Sequence, residues 1–174
     1  MKGALIILAL VMAGPEAADQ IRVTPLVRDG DVLLSFAAPG AVTGKLREAI
    51  RSGMVVTFTY DIALRQDAFL WFDRTLAQVE VAANVRHDNL TRSYHMSRMV
   101  DGRVTLSEST ESEDRVRIWL TEFDRLKIFT NSVLQPNAEY AVDVRARISP
   151  RVAWVLWPWG RDDATGQAAF TYIR

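Results

Sequence analysis

Two histidines beside one predicted turn are the side chains best suited in type and spacing to bind a metal ion. His87 and Asp88 lie at the corner, and His95 follows in the next predicted strand, so the two imidazoles could meet across a hairpin. Imidazole nitrogens and carboxylate oxygens are ligand types that zinc and copper sites use. Because the sequence offers no clear third ligand, we predict no metal and no cofactor, and we interpret these residues as surface polar groups.

Four carboxylates are the candidates for general acid and base chemistry, namely Asp61, Asp67, Asp73 and Glu80. A hydrolase with paired carboxylates, as in glycoside hydrolysis, needs two such groups with separated pKa values in a cleft. Asp61 and Glu80 instead fall on the polar faces of predicted strands, where charged residues are expected in any case. The sequence also contains no nucleophile elbow, phosphate-binding glycine loop or zinc-protease motif. We therefore predict a non-enzymatic protein and keep the hydrolase as the least favoured alternative.

Aromatic residues in two segments are the candidate interaction surface. They are Trp71, Phe72, Trp154, Trp157 and Trp159. Tryptophan combines a large apolar face with one hydrogen-bond donor, so it serves in a core, at a protein interface or at a membrane surface. Core packing is the leading interpretation of these residues, and contact with a protein partner or a membrane surface is the alternative.

Composition limits the function further. The 174-residue chain carries 21 basic and 21 acidic residues, so its formal net charge is zero. Nucleic-acid binders usually show a basic excess, because phosphate contacts supply most of their affinity, so we expect no nucleic-acid partner. The chain has no cysteine, which excludes thiol nucleophiles, disulfides and the lipid-bearing cysteine of a bacterial lipoprotein.

The N-terminus has the pattern of a secretory leader. Lys2 supplies a positive start, and residues 3–14 form a run of small and apolar side chains. This run is shorter than the roughly 20 residues that a spanning helix needs, and it suits a signal peptide. We predict a signal peptide over residues 1–18 and one β-rich periplasmic or extracytoplasmic domain over residues 19–174. A leader that is not cleaved would be a membrane anchor, and a buried N-terminal strand or helix of a cytosolic domain is the alternative.

Alternation of apolar and polar residues predicts a mostly β domain. It is clearest over residues 54–64, where every second residue is apolar, as in a strand with one buried face. Asp-Gly pairs at 29–30 and 101–102 each separate two apolar runs, which indicates tight hairpins. Pro25 has no amide proton, so its strand is predicted at a sheet edge. We predict an antiparallel β-sandwich-like fold of about eight strands with two amphipathic helices.

The two helices are predicted over residues 42–52 and 112–126. Thr43 is the expected N-cap of the first, and Gly53 follows its end. The second is predicted from a capping box that begins at Thr110 and from an apolar stripe at helical spacing. The stripe consists of Val116, Trp119, Leu120, Phe123 and Leu126. We expect this helix to cover a sheet edge or one end of the core.

Four short motifs occur in a fixed order along most of the predicted domain. They are Leu46-Arg47-Glu48-Ala49-Ile50-Arg51-Ser52-Gly53, Trp71-Phe72-Asp73-Arg74, Leu90-Thr91-Arg92-Ser93-Tyr94, and Tyr140 with Val144-Arg145. In these motifs and their order the chain resembles the DUF4390 family of uncharacterised exported bacterial proteins. The resemblance implies an envelope location, no established activity, and gene neighbours that encode membrane sensor kinases. The tryptophan-rich tail is not part of the resemblance.

The leading hypothesis is a non-enzymatic envelope protein that acts as a protein-interaction module. Its expected partner is an envelope or inner-membrane protein, and a sensor kinase is the partner that the resemblance suggests. The alternative is a carrier of an apolar ligand or a binder of the membrane surface, which would use a sandwich interior or the tryptophan-rich tail.

Overall fold

The computed structural model describes residues 21–66, 74–150 and 164–173. Within these ranges the chain is mostly β, as predicted, with nine strands and two α-helices. The strands are β1 (Arg22–Arg28), β2 (Asp31–Ala37), β3 (Val56–Gln66), β4 (Arg74–Asp88), β5 (Ser93–Val100), β6 (Arg103–Thr110), β7 (Glu122–Thr130), β8 (Ala138–Pro150) and β9 (Thr165–Tyr172). The helices are α1 (Gly44–Arg51) and α2 (Glu113–Thr121), and a 3-10 turn covers Asn131–Val133.

The strands form two antiparallel sheets that share one core. The smaller sheet has the order β1-β2-β7, and the larger has the order β6-β5-β4-β3-β8-β9. Aromatic rings join the sheets in the core: the Phe36 ring lies 4.9 Å from Tyr60 and 4.5 Å from Phe123, between ring centroids. The prediction of an antiparallel, sandwich-like fold is therefore confirmed.

Period-two alternation explains the central strand β3. Its inward residues are almost completely buried; they are Val56, Phe58, Tyr60, Ile62 and Leu64.

Both Asp-Gly pairs form the predicted hairpin turns, with positive φ at Asp29 (52°), Gly30 (88°), Asp101 (47°) and Gly102 (75°). Aspartate and glycine tolerate this backbone conformation better than other residues. The same local chemistry that predicted the hairpins therefore produces them.

Helix α1 agrees with its prediction over residues 42–52. The side chain of Thr43 accepts a hydrogen bond from the amide of Leu46 at 3.4 Å, which caps the N-terminus. Leu46 and Ile50 are buried against the sheets. Gly53 follows the helix at φ +85°, a conformation that glycine adopts without strain.

The predicted second helix over residues 112–126 is confirmed up to Thr121 and is wrong over residues 122–126. Helix α2 ends at Thr121, and the chain continues as strand β7, which pairs with β2. The start is also shifted, because Ser112, and not Thr110, is the N-cap and accepts from the amide of Arg115 at 3.4 Å. Residues 122–126, which were predicted as helix, therefore form the first part of strand β7.

A β-bulge explains why this strand resembled a helix. Phe123 lies opposite Phe36, and Leu126 lies opposite Leu34, so one extra residue is accommodated between them. The bulge includes Arg125, whose φ is +44°. The extra residue turns Phe123 and Leu126 to the same side, although they are three positions apart. That spacing also matches one face of a helix, so periodicity alone favoured the wrong element.

Several remaining predictions fall on residues that lie outside the described ranges. The predicted leader over residues 1–18 is one of them, as are Trp71 and Phe72 and the tryptophans at 154, 157 and 159. Among the residues that are described, none of the helices has the length and apolar character needed to cross a membrane.

Candidate interaction site

The described strands leave four sheet edges, and three of them carry features that discourage further pairing. Strand β1 contains Pro25, which cannot donate a backbone hydrogen bond. Strand β7 contains Lys127, a residue type that commonly protects sheet edges. Strand β9 is partly covered by the start of the small sheet, where the amide of Ile21 donates to the carbonyl oxygen of Thr165 at 3.1 Å. These edges are therefore poor templates for another strand.

Strand β6 is the fourth edge. Of the four edge strands described, it has the most exposed large apolar side chains. It pairs with β5, and no other described strand pairs with its second edge. The side chains of Val104 and Leu106 are 62% and 45% exposed. The strand contains no proline or lysine, the residues that commonly protect edges. An exposed apolar edge with open backbone groups is a surface to which an extended segment can add.

A bulge in β6 sets which side chains share a face. Arg98 of β5 lies opposite Leu106, and Met99 lies opposite Val104, so Thr105 is an extra residue. The hydroxyl of Thr105 donates to the carbonyl oxygen of Arg98 at 3.3 Å, which holds the bulge. Leu106 consequently lies on the side of Arg98 and Val104 on the opposite side.

A groove of about 490 Å³ lies beside Leu106. Its walls come from β6, α2 and the small sheet, and two exposed apolar side chains face it, Leu106 and Ile118. Charged side chains of both signs also line it; they include Arg22, Glu108, Arg115, Glu122 and Asp124. Protein-interaction surfaces likewise combine exposed apolar side chains with polar and charged ones.

Arg98 forms part of this groove and fixes its shape. Its guanidinium carbon lies 4.5 Å from the ring centre of Trp119 and 4.1 Å from that of Phe123. One of its terminal nitrogens donates to the carbonyl oxygens of Trp119 and Glu122, each at 2.7 Å. Burial lowers the pKa of Arg98 from its ordinary value. The side chain therefore ties the end of α2 to β5 and makes a rigid support for Ile118.

A second polar cluster joins the two helices to β5. The guanidinium of Arg51 binds both carboxylate oxygens of Glu113, at 2.6 and 2.8 Å, and the hydroxyl of Tyr94 donates to the same carboxylate at 3.1 Å. The His87 ring packs 4.5 Å from the Tyr94 ring, between centroids. Arg51 and Tyr94 belong to two of the short motifs found in the sequence. The fold brings these motifs together, and their side chains connect α1, α2 and β5 through Glu113.

We predict a small, pH-dependent contribution of Glu113 to stability. The hydrogen bond from Arg51 lowers the pKa of Glu113 below its ordinary value of 4.5. A carboxyl group with a lowered folded-state pKa stabilises the protein above its unfolded-state pKa, and this contribution disappears as the pH falls through the folded-state pKa. Because the pair is exposed, we expect a contribution below about 1 kcal/mol.

The measurement is urea unfolding of wild type and Glu113→Gln between pH 7 and pH 3. The advantage of the wild type should be present at pH 7, should begin to shrink as the pH falls below the ordinary pKa of 4.5, and should disappear as the pH passes through the lowered folded-state pKa of Glu113. Glu111→Gln, at an exposed position outside the cluster, is the control. A difference between wild type and Glu113→Gln that stays constant down to pH 3 would contradict the prediction.

The predicted acid and base candidates are only partly brought together. Asp61 and Glu80 lie opposite each other on β3 and β4, and they border a surface depression of about 940 Å³. Arg147 lies between them, 2.7 Å from Asp61 and 3.3 Å from Glu80. These ion pairs on the polar face of the sheet account for both carboxylates without a catalytic role. Asp67 and Asp73 lie outside the described residues.

The two histidines face opposite sides of the large sheet. Arg86 lies opposite His95, and the next residue, His87, lies opposite Tyr94. Because side chains of neighbouring pairs lie on opposite faces of a sheet, His87 and His95 lie on opposite faces. Within residues 21–66, 74–150 and 164–173, no group of three His, Asp or Glu side chains is placed to hold a metal ion. The fold therefore does not assemble the pair that the sequence suggested.

His95 instead lies between two other polar side chains. Its Nδ1 atom is 3.0 Å from the hydroxyl of Ser109, and its Nε2 atom is 4.0 Å from Asp88. One oxygen of Asp88 accepts from the amides of Leu90 and Thr91, and these bonds lower the pKa of Asp88. These residue types occur in hydrolase triads, but here they lie on an exposed sheet face rather than in a cleft that excludes water.

The groove residues Arg98, Leu106 and Ile118 were not predicted as a site. One signal was available, because Arg98 occupies an inward position of β5, between Met96 and Val100, where an apolar residue is expected. The exposure of Leu106 and Ile118 depends on which strands and helices become neighbours. No local pattern in the sequence reports that.

Comparison with known proteins places most of the chain in one family model. The model described as "Domain of unknown function (DUF4390)" matches residues 17–151. The matched range includes β6, α2 and the groove between them, and it ends before Trp154. No curated protein and no solved structure matches the chain.

Proposed function

The chain belongs to the DUF4390 family, and from that premise we propose that it is a non-enzymatic protein-interaction module of the cell envelope that binds a protein along strand β6. The observation that carries the proposal is the open edge of β6, where Val104 and Leu106 are exposed on opposite faces and Leu106 borders a groove. The envelope location rests on the leader pattern of residues 1–18.

Binding would occur by strand addition. An extended segment of the partner hydrogen-bonds to the unpaired backbone groups of β6, and its alternate side chains contact the surface on either side. On one side, Leu106 and Ile118 offer apolar contact, and the charged side chains that line the groove select the neighbouring residues. The partner is an envelope or inner-membrane protein, for which a membrane sensor is the proposed class.

The described cavities favour this role over that of a carrier for an apolar ligand. The groove is open to the surface, and the larger depression is bordered by charged side chains that include Asp61, Glu80 and Asp143. A carrier needs an enclosed apolar cavity to shield its ligand from water. The interior between the sheets is instead filled by aromatic rings in contact.

Site-specific crosslinking in intact cells tests the proposal. A photoreactive amino acid at Val104 should give one or a few discrete crosslinked products, because a partner strand lies against this position. Ile173 is a matched control, because its exposure is 63% and that of Val104 is 62%, and it follows the other edge of the same sheet. The same probe at Ile173 should give no discrete product.

A substitution at Leu106 distinguishes specific binding of a partner from nonspecific crosslinking at Val104. Leu106→Arg places a charge on the groove side of the edge, at a position that is 45% exposed and lies opposite Arg98, so the fold should remain intact with a loss of up to about 1 kcal/mol. In this background, the products from Val104 should weaken at least threefold. Products of equal yield from both probe positions, or products that do not respond to Leu106→Arg, would contradict the proposed binding edge.

A further inference from the structure

We propose that the strand which adds to β6 is the β6 strand of a second copy of this chain. The two copies would form a twofold-symmetric dimer in which Arg103 of each chain faces Glu108 of the other. The two six-stranded sheets would then join into one continuous sheet. This inference rests on the proposed function, because it concerns the same edge, and it names a second copy of this envelope protein as the partner in place of a membrane sensor.

The bulge in β6 places the two charged residues of the strand on one face. Arg103 lies opposite Val100, and Glu108 lies opposite Met96. Val100 and Met96 are four positions apart on β5 and therefore share a face, and residues directly opposite each other in a sheet also share a face. In a regular strand, residues five positions apart would lie on opposite faces. The extra residue Thr105 brings Arg103 and Glu108 to the same side.

Twofold symmetry then makes the edge complementary to itself. When two antiparallel copies are placed with Arg103 opposite Glu108, Val104 of one copy lies opposite Ser107 of the other. Val104 and Ser107 also share a face, because they pair with Met99 and Ser97 of β5. In each pair, the two side chains therefore lie on the same face of the joined sheet. The twofold axis passes between the Thr105-Leu106 segments of the two chains. The same register of the two strands therefore produces the charged pair and the uncharged pair.

Charge supports the same register. Arg103 and Glu108 are the charged residues of β6, with opposite signs, so the dimer contains this ion pair twice. Opposite charges directly across a strand pair are stabilising, and like charges are destabilising. Glu108 also lies 3.4 Å from Arg115 of its own chain, so in the dimer its carboxylate would be shared between Arg115 and Arg103 of the second copy. An unrelated segment would match this charge order only by chance.

Charge reversal with rescue tests the dimer directly. The full chain, in the form that cells produce, is examined by sedimentation velocity over a range of concentrations. Wild type should show a monomer-dimer equilibrium, and Arg103→Glu or Glu108→Arg alone should raise the dissociation constant at least tenfold. The double variant with both changes restores opposite charges across the axis, and its dissociation constant should return to within about threefold of wild type. Unchanged thermal unfolding of the monomers confirms that the fold is intact.

Engineered cysteines test the register. Because the chain contains no cysteine, the variant with both Val104→Cys and Ser107→Cys should form a disulfide-linked dimer on mild oxidation. The variant with Val104→Cys and Ile173→Cys is the control and should not form this linkage efficiently. A wild type that stays monomeric at high concentration, or a double charge reversal that does not restore association, would overturn the inference.

The two proposals can fail separately. If the Val104 probe captures a different envelope protein while the chain remains monomeric, the second-copy inference is wrong and the proposed function stands. If a dimer forms but does not respond to charge reversal at Arg103 and Glu108, the second-copy contact uses another surface and the inference is wrong. If no discrete product forms at Val104, the binding edge itself is wrong.

Discussion

Gly166→Ala is expected to destabilise the protein by about 3 kcal/mol, because it forces atoms to overlap at the junction of the two sheets. A Cβ at Gly166 would overlap the carbonyl oxygen of Ile21 and lie 2.9 Å from its side chain. The oxygen belongs to the backbone and cannot rotate away. The adjacent hydrogen bond from the amide of Ile21 to Thr165 must therefore lengthen or break.

Urea unfolding measures this effect, and Gly44→Ala is its matched control. An added Cβ at Gly44 meets nothing within 4 Å, and the residue begins helix α1. Alanine there should be neutral or should stabilise the protein by up to about 1 kcal/mol. Hydrogen exchange at the amide of Ile21 should speed up in Gly166→Ala. Equal stabilities of the two variants would show that Ile21 does not pack on β9 as the structure describes.

Arg98→Met is the second large prediction, with an expected loss of about 3 kcal/mol in the free energy of unfolding. The change removes the donors to the carbonyl oxygens of Trp119 and Glu122. It also removes a guanidinium that lies against the rings of Trp119 and Phe123, a contact that methionine replaces only in part. The carbonyl groups of Trp119 and Glu122 at the end of α2 then lose this donor.

Two controls separate these contributions. Arg98→Lys keeps the positive charge but loses the planar contact with the rings, so we expect a loss of roughly 1–2 kcal/mol. Arg86→Met changes an exposed arginine on the neighbouring strand and should lie within about 0.5 kcal/mol of wild type. If Arg98→Met were as mild as Arg86→Met, Arg98 would not support the end of α2.

Arg98 also connects stability to the proposed function. It lines the groove beside Leu106 and holds the segment that carries Ile118. Arg98→Lys, which should remain folded, is therefore expected to weaken the crosslinks from Val104 as well. The contribution of Arg98 to binding is indirect, because its hydrogen bonds are made within the chain.

Several elements followed from local sequence chemistry alone. The turns at 29–30 and 101–102, helix α1 and strand β3 formed as predicted. Pro25 does lie in an edge strand. In each case the deciding interaction joins residues close in sequence, such as the cap from Thr43 to Leu46, or depends on the backbone preference of one residue type.

The end of α2 was not predictable from local chemistry. The apolar residues after it recur every third position, and this spacing fits a helix. In the structure the same residues lie opposite alternate positions of β2: Phe123 opposite Phe36, Leu126 opposite Leu34, and Phe129 opposite Val32. Two register shifts in the pairing produce the threefold spacing. A bulged strand and a helix therefore share one sequence pattern here.

The amino-acid sequence by itself determined the mostly β character, the hairpins and the first helix, because these depend on neighbours within a few residues. The tertiary structure decided where α2 ends, since distant side chains bind its last carbonyl groups: Arg98 binds that of Trp119, and Tyr60 binds that of Leu120. It also decided that β6 is an exposed edge beside a groove, because exposure depends on which strands lie next to each other. Side chains far apart in sequence determine that arrangement, and no short segment encodes it.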